Sequence, residues 1–195
     1  MNLKTILMVA SATVIASCSS KEVPQTPAEA LIDRLESLVD QGSIMFGHQD
    51  TYLYGHSWKI ASDAQTYDRT DIKDVAGAYP AFSGMDLGGI ELDSPVNIDN
   101  NDFNHMRASA VAHHLRGGVV SFSWHLRNPL TGGDTWDTSS TEVVASILPG
   151  GQKHEMFMGW LSKAADYLES IRTPEGELVP VIFRPWHEHT RNFFW

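Results

Sequence analysis

Apolar side chains along this chain repeat first at helical spacing and then in short β-type runs, and that alternation continues to the last residue. Thr26, Pro27 and Glu29 supply an N-cap, a first-turn proline and a capping-box acid. Leu31, Leu35, Leu38 and Val39 then recur on one helical face, and Gly42 ends the helix. Residues 43 to 49, SIMFGHQ, read as a short strand. The following stretch, with Tyr52, Tyr54, His56 and Trp58, has no period and reads as a long loop. A brief helix over 71–76 leads to a second strand within residues 79–89, YPAFSGMDLGG, ending in Asp86 and a glycine pair. Phe103, Met106, Ala110 and His114 share a helical face closed by Gly117 and Gly118, and VVSFSW follows as a third strand finishing near Trp124 and His125. After a Gly-rich loop, helices are predicted near 141–148 and 155–171, the second with Phe157, Trp160, Ala164, Leu168 and Ile171 aligned. A TPEG turn opens the fourth strand, VPVIFRPWHEH, from residue 179.

Short apolar strands alternating with amphipathic helices predict an α/β fold with a parallel sheet. Each strand finishes in polar or aromatic groups: Gly47, His48 and Gln49; Asp86; Trp124 and His125; Trp186, His187 and Glu188. In a (β/α)8 TIM barrel the chemistry gathers at the C-terminal ends of the strands, so these four endings are expected to meet at one mouth. Four strands do not close that barrel, and the expectation is one truncated after about strand four.

The front of the chain reads differently. Residues 1–17 carry Lys4, an apolar run and then small residues, the layout of an export leader. The run is too short to span a bilayer. Val14, Ile15, Ala16, Ser17 and Cys18 resemble a bacterial lipobox, in which Cys18 is acylated and becomes the first mature residue. The implied location is the cell envelope, with the protein held at a membrane by its N-terminal lipid anchor. Residues 18–25 read as a linker, and the folded part begins near Thr26 and runs to residue 195. Cys18 is the single cysteine, so no disulfide forms within the chain. With 24 acidic against 14 basic side chains the net charge is −10, which makes nucleic acid a poor partner.

Candidate chemistry concentrates at the C-terminal end, where His187 and Glu188 enter a group of aromatic residues. Glycosidases need two carboxylates flanking the scissile bond, one a protonated acid, and aromatic faces suit sugar rings. One such acid is evident, and a surface carboxylate beyond a buried strand is its bland alternative. Nine histidines are present, but no HExxH, paired cysteine or EF-hand spacing accompanies them, so no metal or other cofactor is expected. His113 and His114 read as helix packing or surface residues, and HEH at 187–189 as a strand alternation.

GHQD near the first strand, SWHLRNP after the third and RPWHE after the fourth resemble, in order, glycoside hydrolase family 26, which implies that residues 26–195 are the N-terminal part of its catalytic domain. That family is best known for endo-β-1,4-mannanases and has a (β/α)8 barrel with the acid/base Glu ending strand four and the nucleophile Glu ending strand seven. The resemblance implies that Glu188 is the general acid/base, that His187 bonds within the catalytic centre, and that His125 and Asn128 line the glycone side of a cleft. Trp136 is a sugar platform or a core residue. Arg184 would pair with the nucleophile carboxylate, another barrel acid or a purely structural partner. Asp86 would bind sugar hydroxyls or answer Arg184, with the supporting role favoured. Phe193, Phe194 and Trp195, with Arg191 where the family often has a small residue, depart from an aromatic cluster that usually opens with Trp, so Phe193 and Trp195 are substrate-binding candidates with altered stacking. The implied reaction is retaining hydrolysis of β-1,4-mannosidic bonds in a mannan-type polysaccharide, without activity in this chain for want of the nucleophile. The alternatives are a family member acting on xylan or another β-glucan, and a non-catalytic glycan-binding lipoprotein.

Overall fold

The computed structural model describes residues 24–190 and 194–195. The leader, Cys18, most of the linker, Arg191 and Phe193 lie outside the described residues. The elements are α1 (Pro27–Asp40), β1 (Gly47–Gln49), β2 (Tyr54–Gly55), β3 (Trp58–Lys59), α2 (Asp71–Ala76), β4 (Phe82–Asp86), α3 (Phe103–Leu115), β5 (Val119–Trp124), α4 (Val143–Ile147), α5 (His154–Glu169) and β6 (Val181–Pro185), with a 3-10 turn at Ile90–Leu92. No helix among the described residues is long and apolar enough to cross a membrane.

Four strands form one sheet in the order β1-β4-β5-β6, every pair parallel. Parallel neighbours need crossovers, which α2 supplies between β1 and β4, α3 between β4 and β5, and α4 with α5 between β5 and β6. This is the α/β arrangement that the alternating pattern predicts, with all four strand C-termini on one side. β5 is buried at every position, as a central parallel strand covered on both faces should be. Met85, Val120, Phe122 and Trp124 of the sheet pack with Phe103, Met106 and Ala110 of α3 and Phe157, Ala164 and Tyr167 of α5.

Local chemistry explains the helix starts. Thr26 Oγ1 accepts from the Glu29 N–H at 3.3 Å while Glu29 accepts from the Thr26 N–H at 2.7 Å, so the capping box is formed, with Pro27 in the first turn. Asp102 caps α3 by accepting from the N–H groups of Asn104 and His105.

Four expectations are corrected. The run 43–49 forms a strand only from Gly47, and Ile44 and Phe46 before it are exposed. The polar stretch after it holds a small hairpin of β2 and β3, fastened where Asp71 accepts from the Trp58 indole N–H and the His56 N–H, both at 2.6 Å. On α3 it is His113 that turns to the core, 1% exposed, while His114 is half-buried. A Cβ at Gly118 would overlap the His113 ring, so the glycine makes room for it, and Tyr52 holds its Nδ1 at 2.8 Å. Finally, β6 stops at Pro185, and residues 186–190 form a turn instead of continuing the strand.

Candidate active site

Asp86 is the last residue of β4 and 1% exposed, and its carboxylate is fully engaged. Oδ1 accepts from the N–H of Gly88 at 2.7 Å and of His125 at 3.1 Å; Oδ2 accepts from Ser123 Oγ at 2.6 Å and lies 2.8 Å from His125 Nδ1. β4 and β5 are in register so that Asp86 faces Ser123, which puts His125 one residue past the facing strand end. The supporting role anticipated for Asp86 is thus exerted on His125. Arg184, the other anticipated partner, is exposed and takes part in no ion pair among the described residues.

His187 approaches His125 from the turn beyond β6, with ring centroids 4.3 Å apart and planes at 88°. Its Nδ1 is buried with no partner among the described residues. Trp186 and Glu188 on either side have φ of 49° and 68°, left-handed values that cost side-chain-bearing residues about 1–3 kcal/mol. The chain reverses within one turn there, closed where the ring Nδ1 of His189 meets the Trp186 carbonyl at 2.9 Å, and Glu188 is left exposed beside the paired histidines.

Two aromatic rings stack with His125, Trp136 at 5.4 Å and 28° and Phe194 at 5.7 Å and 24°. Trp136 remains 54% exposed, so its outer surface is free, which favours the platform alternative over the core one. Phe194 is fixed by its N–H donating to the Thr135 carbonyl at 3.0 Å. Trp195 is half-buried with an indole N–H that lacks an acceptor among the described residues. A cavity of about 250 Å³ opens next to His125, lined by Gly88, Gly89, Asn97, Arg127 and Trp136 among others. Asn128 departs from the expected cleft-lining position. It is fully buried; its Nδ2 donates to the Asp137 carbonyl and its Oδ1 accepts from the N–H groups of Leu130 and Thr131, so its amide shapes the loop that carries Trp136.

Electrostatics separate the neighbouring groups. Burial pushes the Asp86 carboxyl up, but hydrogen bonds from His125 and Ser123 and the charge of His125 outweigh it and hold it below the usual range. Burial likewise pushes His125 down, yet the hydrogen bond and charge of Asp86, with the charges of Asp99 and Glu188, carry it upward. His187 goes the other way: burial, then the cationic character of His125 and Arg184, lower it. A charged His125 beside a neutral His187 is the arrangement these shifts favour, and a neutral imidazole both donates and accepts.

Sequence reading passes over three supporting residues. Glu91 is 2% exposed and accepts from the Trp124 indole and the N–H groups of Gly89 and Arg127, tying the ends of β4 and β5 together. Asn97 donates to the Asp86 carbonyl at 3.0 Å. Asp50, 1% exposed after β1, is pushed up to about 7 by burial and by the charges of Asp99 and Asp86 against a hydrogen bond from Tyr54. The last was detectable, since GHQD ends in an acid at a strand end just as the second strand does. Spacing rules also pass over a group assembled from three strand ends: Asp86, His125 and His187 each offer a ligand atom, all within 4.8 Å of one another.

Comparison with known proteins agrees with this geometry. Residues 21–195 match the model of glycosyl hydrolase family 26. A mannan endo-1,4-β-mannosidase of Bifidobacterium adolescentis is 32% identical over 171 residues, which cover 85% of this chain and 16% of that protein. Among solved structures, a family 26 β-mannanase from Bacteroides ovatus is 44% identical with a TM-score of 0.81, covering 88% of this chain and 48% of that one. The catalytic domain of a family 26 endo-β-1,4-mannanase from a Bacillus species is 33% identical with a TM-score of 0.75, covering 88% and 44%. The chain therefore spans about half the length of these solved relatives, with the strands and helices of one part of their TIM-barrel fold. With the family model matched across the described sheet and its strand-end residues alike, the chain belongs to glycosyl hydrolase family 26.

Proposed function

We propose that this chain contributes the acid/base half of a retaining endo-β-1,4-mannanase, with Glu188 as the residue that protonates the departing sugar oxygen and later activates water. The observation that carries the reading is the convergence, at the C-terminal ends of β4, β5 and β6, of Asp86, His125 and His187 beside an exposed Glu188 and an exposed Trp136. Strand C-termini are where barrel enzymes hold their chemistry. The named activities of the relatives point to mannan as the polysaccharide.

The other members have supporting tasks. Asp86 orients His125 and sustains its charge; His125, stacked with Trp136 and Phe194, offers its ring edge to the cleft; His187 fixes the turn that carries Glu188. Asp86 is a poor nucleophile, since four donors already occupy its oxygens. Retention requires a second carboxylate about 5–5.5 Å from the acid, ionised and raising the acid's pKa by repulsion. Without such a partner the 195 residues alone are expected to leave mannan uncleaved, and robust turnover by them would show that another carboxylate serves as nucleophile.

Glu188→Gln in the natural protein that carries this chain tests the assignment. Loss of mannan hydrolysis with retained binding of manno-oligosaccharides supports it, and retained hydrolysis overturns it. The same variant separates the enzyme from a glycan-binding protein that uses Trp136 without chemistry, because a binder has no turnover to lose. The export leader and Cys18 support a lipid-anchored location at the cell envelope, for which Cys18→Ser is expected to move the protein from the membrane to the soluble fraction.

A further inference from the structure

We propose that Asp86, His125 and His187 form a binding site for one late first-row transition-metal dication, with Zn²⁺ as the best fit, whose occupancy blocks the sugar centre. Two imidazoles and one carboxylate are a donor set that Zn²⁺ accepts with a fourth position left open. The three ligand atoms lie within 4.8 Å of one another. Asp86 Oδ2 and His125 Nδ1 are 2.8 Å apart, close to the roughly 3 Å that separates adjacent donors on a metal with bonds of about 2.0–2.2 Å, so Zn²⁺ takes the place of the proton they share, which is released to solvent as the metal binds.

Independent support comes from His187, whose Nδ1 is buried with no partner among the described residues, a costly condition that a bound cation would relieve. The surroundings also resemble an outer shell. Asp86 is oriented through Oδ1 by the N–H groups of Gly88 and His125 and through Oδ2 by Ser123, while Trp136 and Phe194 stack with the His125 ring. Nitrogen donors favour Zn²⁺, Cu²⁺ or Ni²⁺ over Mg²⁺ and Ca²⁺, which prefer all-oxygen sites. The exposed Glu188 nearby adds negative charge toward which a cation is drawn. The metal here is an inhibitor and takes no part in the hydrolysis.

Only the blocking effect rests on the glycosidase reading; the binding does not. Titration of ZnCl₂ into the natural protein that carries this chain, followed by calorimetry, is expected to give one site with micromolar or tighter affinity and no saturable response to MgCl₂ or CaCl₂. His187→Gln and His125→Gln should each weaken Zn²⁺ at least about tenfold, as loss of metal-site partners typically does. His56→Gln, exposed in the turn between β2 and β3 and outside the triad, should leave it unchanged. Since His125 sits in packed surroundings, its variant could lose structure; His187→Gln, on an outer turn, and the visible absorption of Co²⁺ bound to the unaltered protein then decide the matter. Absence of saturable Zn²⁺ binding up to millimolar concentration, or one-to-one binding indifferent to His187→Gln, overturns the proposal. Zn²⁺ bound through the triad without any rise in the apparent KM for mannan overturns the blocking claim and leaves binding standing. Hydrolysis surviving in Glu188→Gln overturns the acid/base reading and leaves the metal result untouched.

Discussion

Asp50 sits almost wholly buried beyond β1, near Asp99 and Asp86, so ionising it costs more in the folded chain than in water. Its folded pKa of about 7 lies above the ordinary 3.8, so the folded state binds the extra proton between these values and stability falls as pH rises through that window. Asp50→Asn removes this dependence. The variant is expected to differ little from the natural protein near pH 4 and to be more stable by on the order of a few kcal/mol at pH 7 and above, read as a difference in thermal midpoint at each pH. His113 has the opposite sign: burial lowers it to about 4, so its contribution is present above pH 6.5 and lost as pH falls toward 4. The two slopes oppose each other, and comparing variant with parent isolates Asp50. At this scale motif and strand end together single out Asp86, His125, His187 and Glu188 as candidates, and the structure places the first three side by side. The sequence was not legible for Asn128, because nothing in an NP pattern distinguishes an amide aimed at a ligand from one that bonds its own loop.

Elements were read well where local chemistry is self-contained. The capping box at Thr26 and Glu29, the apolar run of β5 and the periodic face of α5 all lie within a few residues of their causes. The hairpin of β2 and β3 was missed since its fastening, Asp71 to Trp58 and His56, spans more than a dozen residues. The choice of His113 over His114 depended on a neighbour as well: both positions continue the face of α3, and the space above Gly118 decides between them. Gly118→Ala therefore forces the His113 ring or the start of β5 to move, and a loss of about 1–3 kcal/mol in chemical denaturation is expected. Trp124→Phe removes an indole N–H from buried Glu91 and is expected to cost a similar amount, about 1–3 kcal/mol, through the carboxylate left short of a donor.

Across the whole molecule, parallel order and shared strand direction bring residues from distant positions to one mouth, so strand endings mark where candidates gather while their pairing is visible only in the fold. The same order leaves β1 and β6 as sheet edges, and an apolar groove with exposed Phe46 and Val75 lies beside the start of β1 and α2. Uncovered edges and apolar faces promote association. The 195-residue polypeptide by itself is expected to self-associate, measured by light scattering across a concentration series. Proton donation by Glu188 is the central claim, and its most direct test compares two substrates in Glu188→Gln of the natural protein: mannan, whose leaving sugar needs a proton, and an activated aryl β-mannobioside, whose leaving phenolate does not. General acid catalysis predicts a fall in kcat/KM of roughly 10²–10⁴-fold on mannan and a far smaller fall on the aryl substrate. Equal losses on both, or no loss on either, would contradict it.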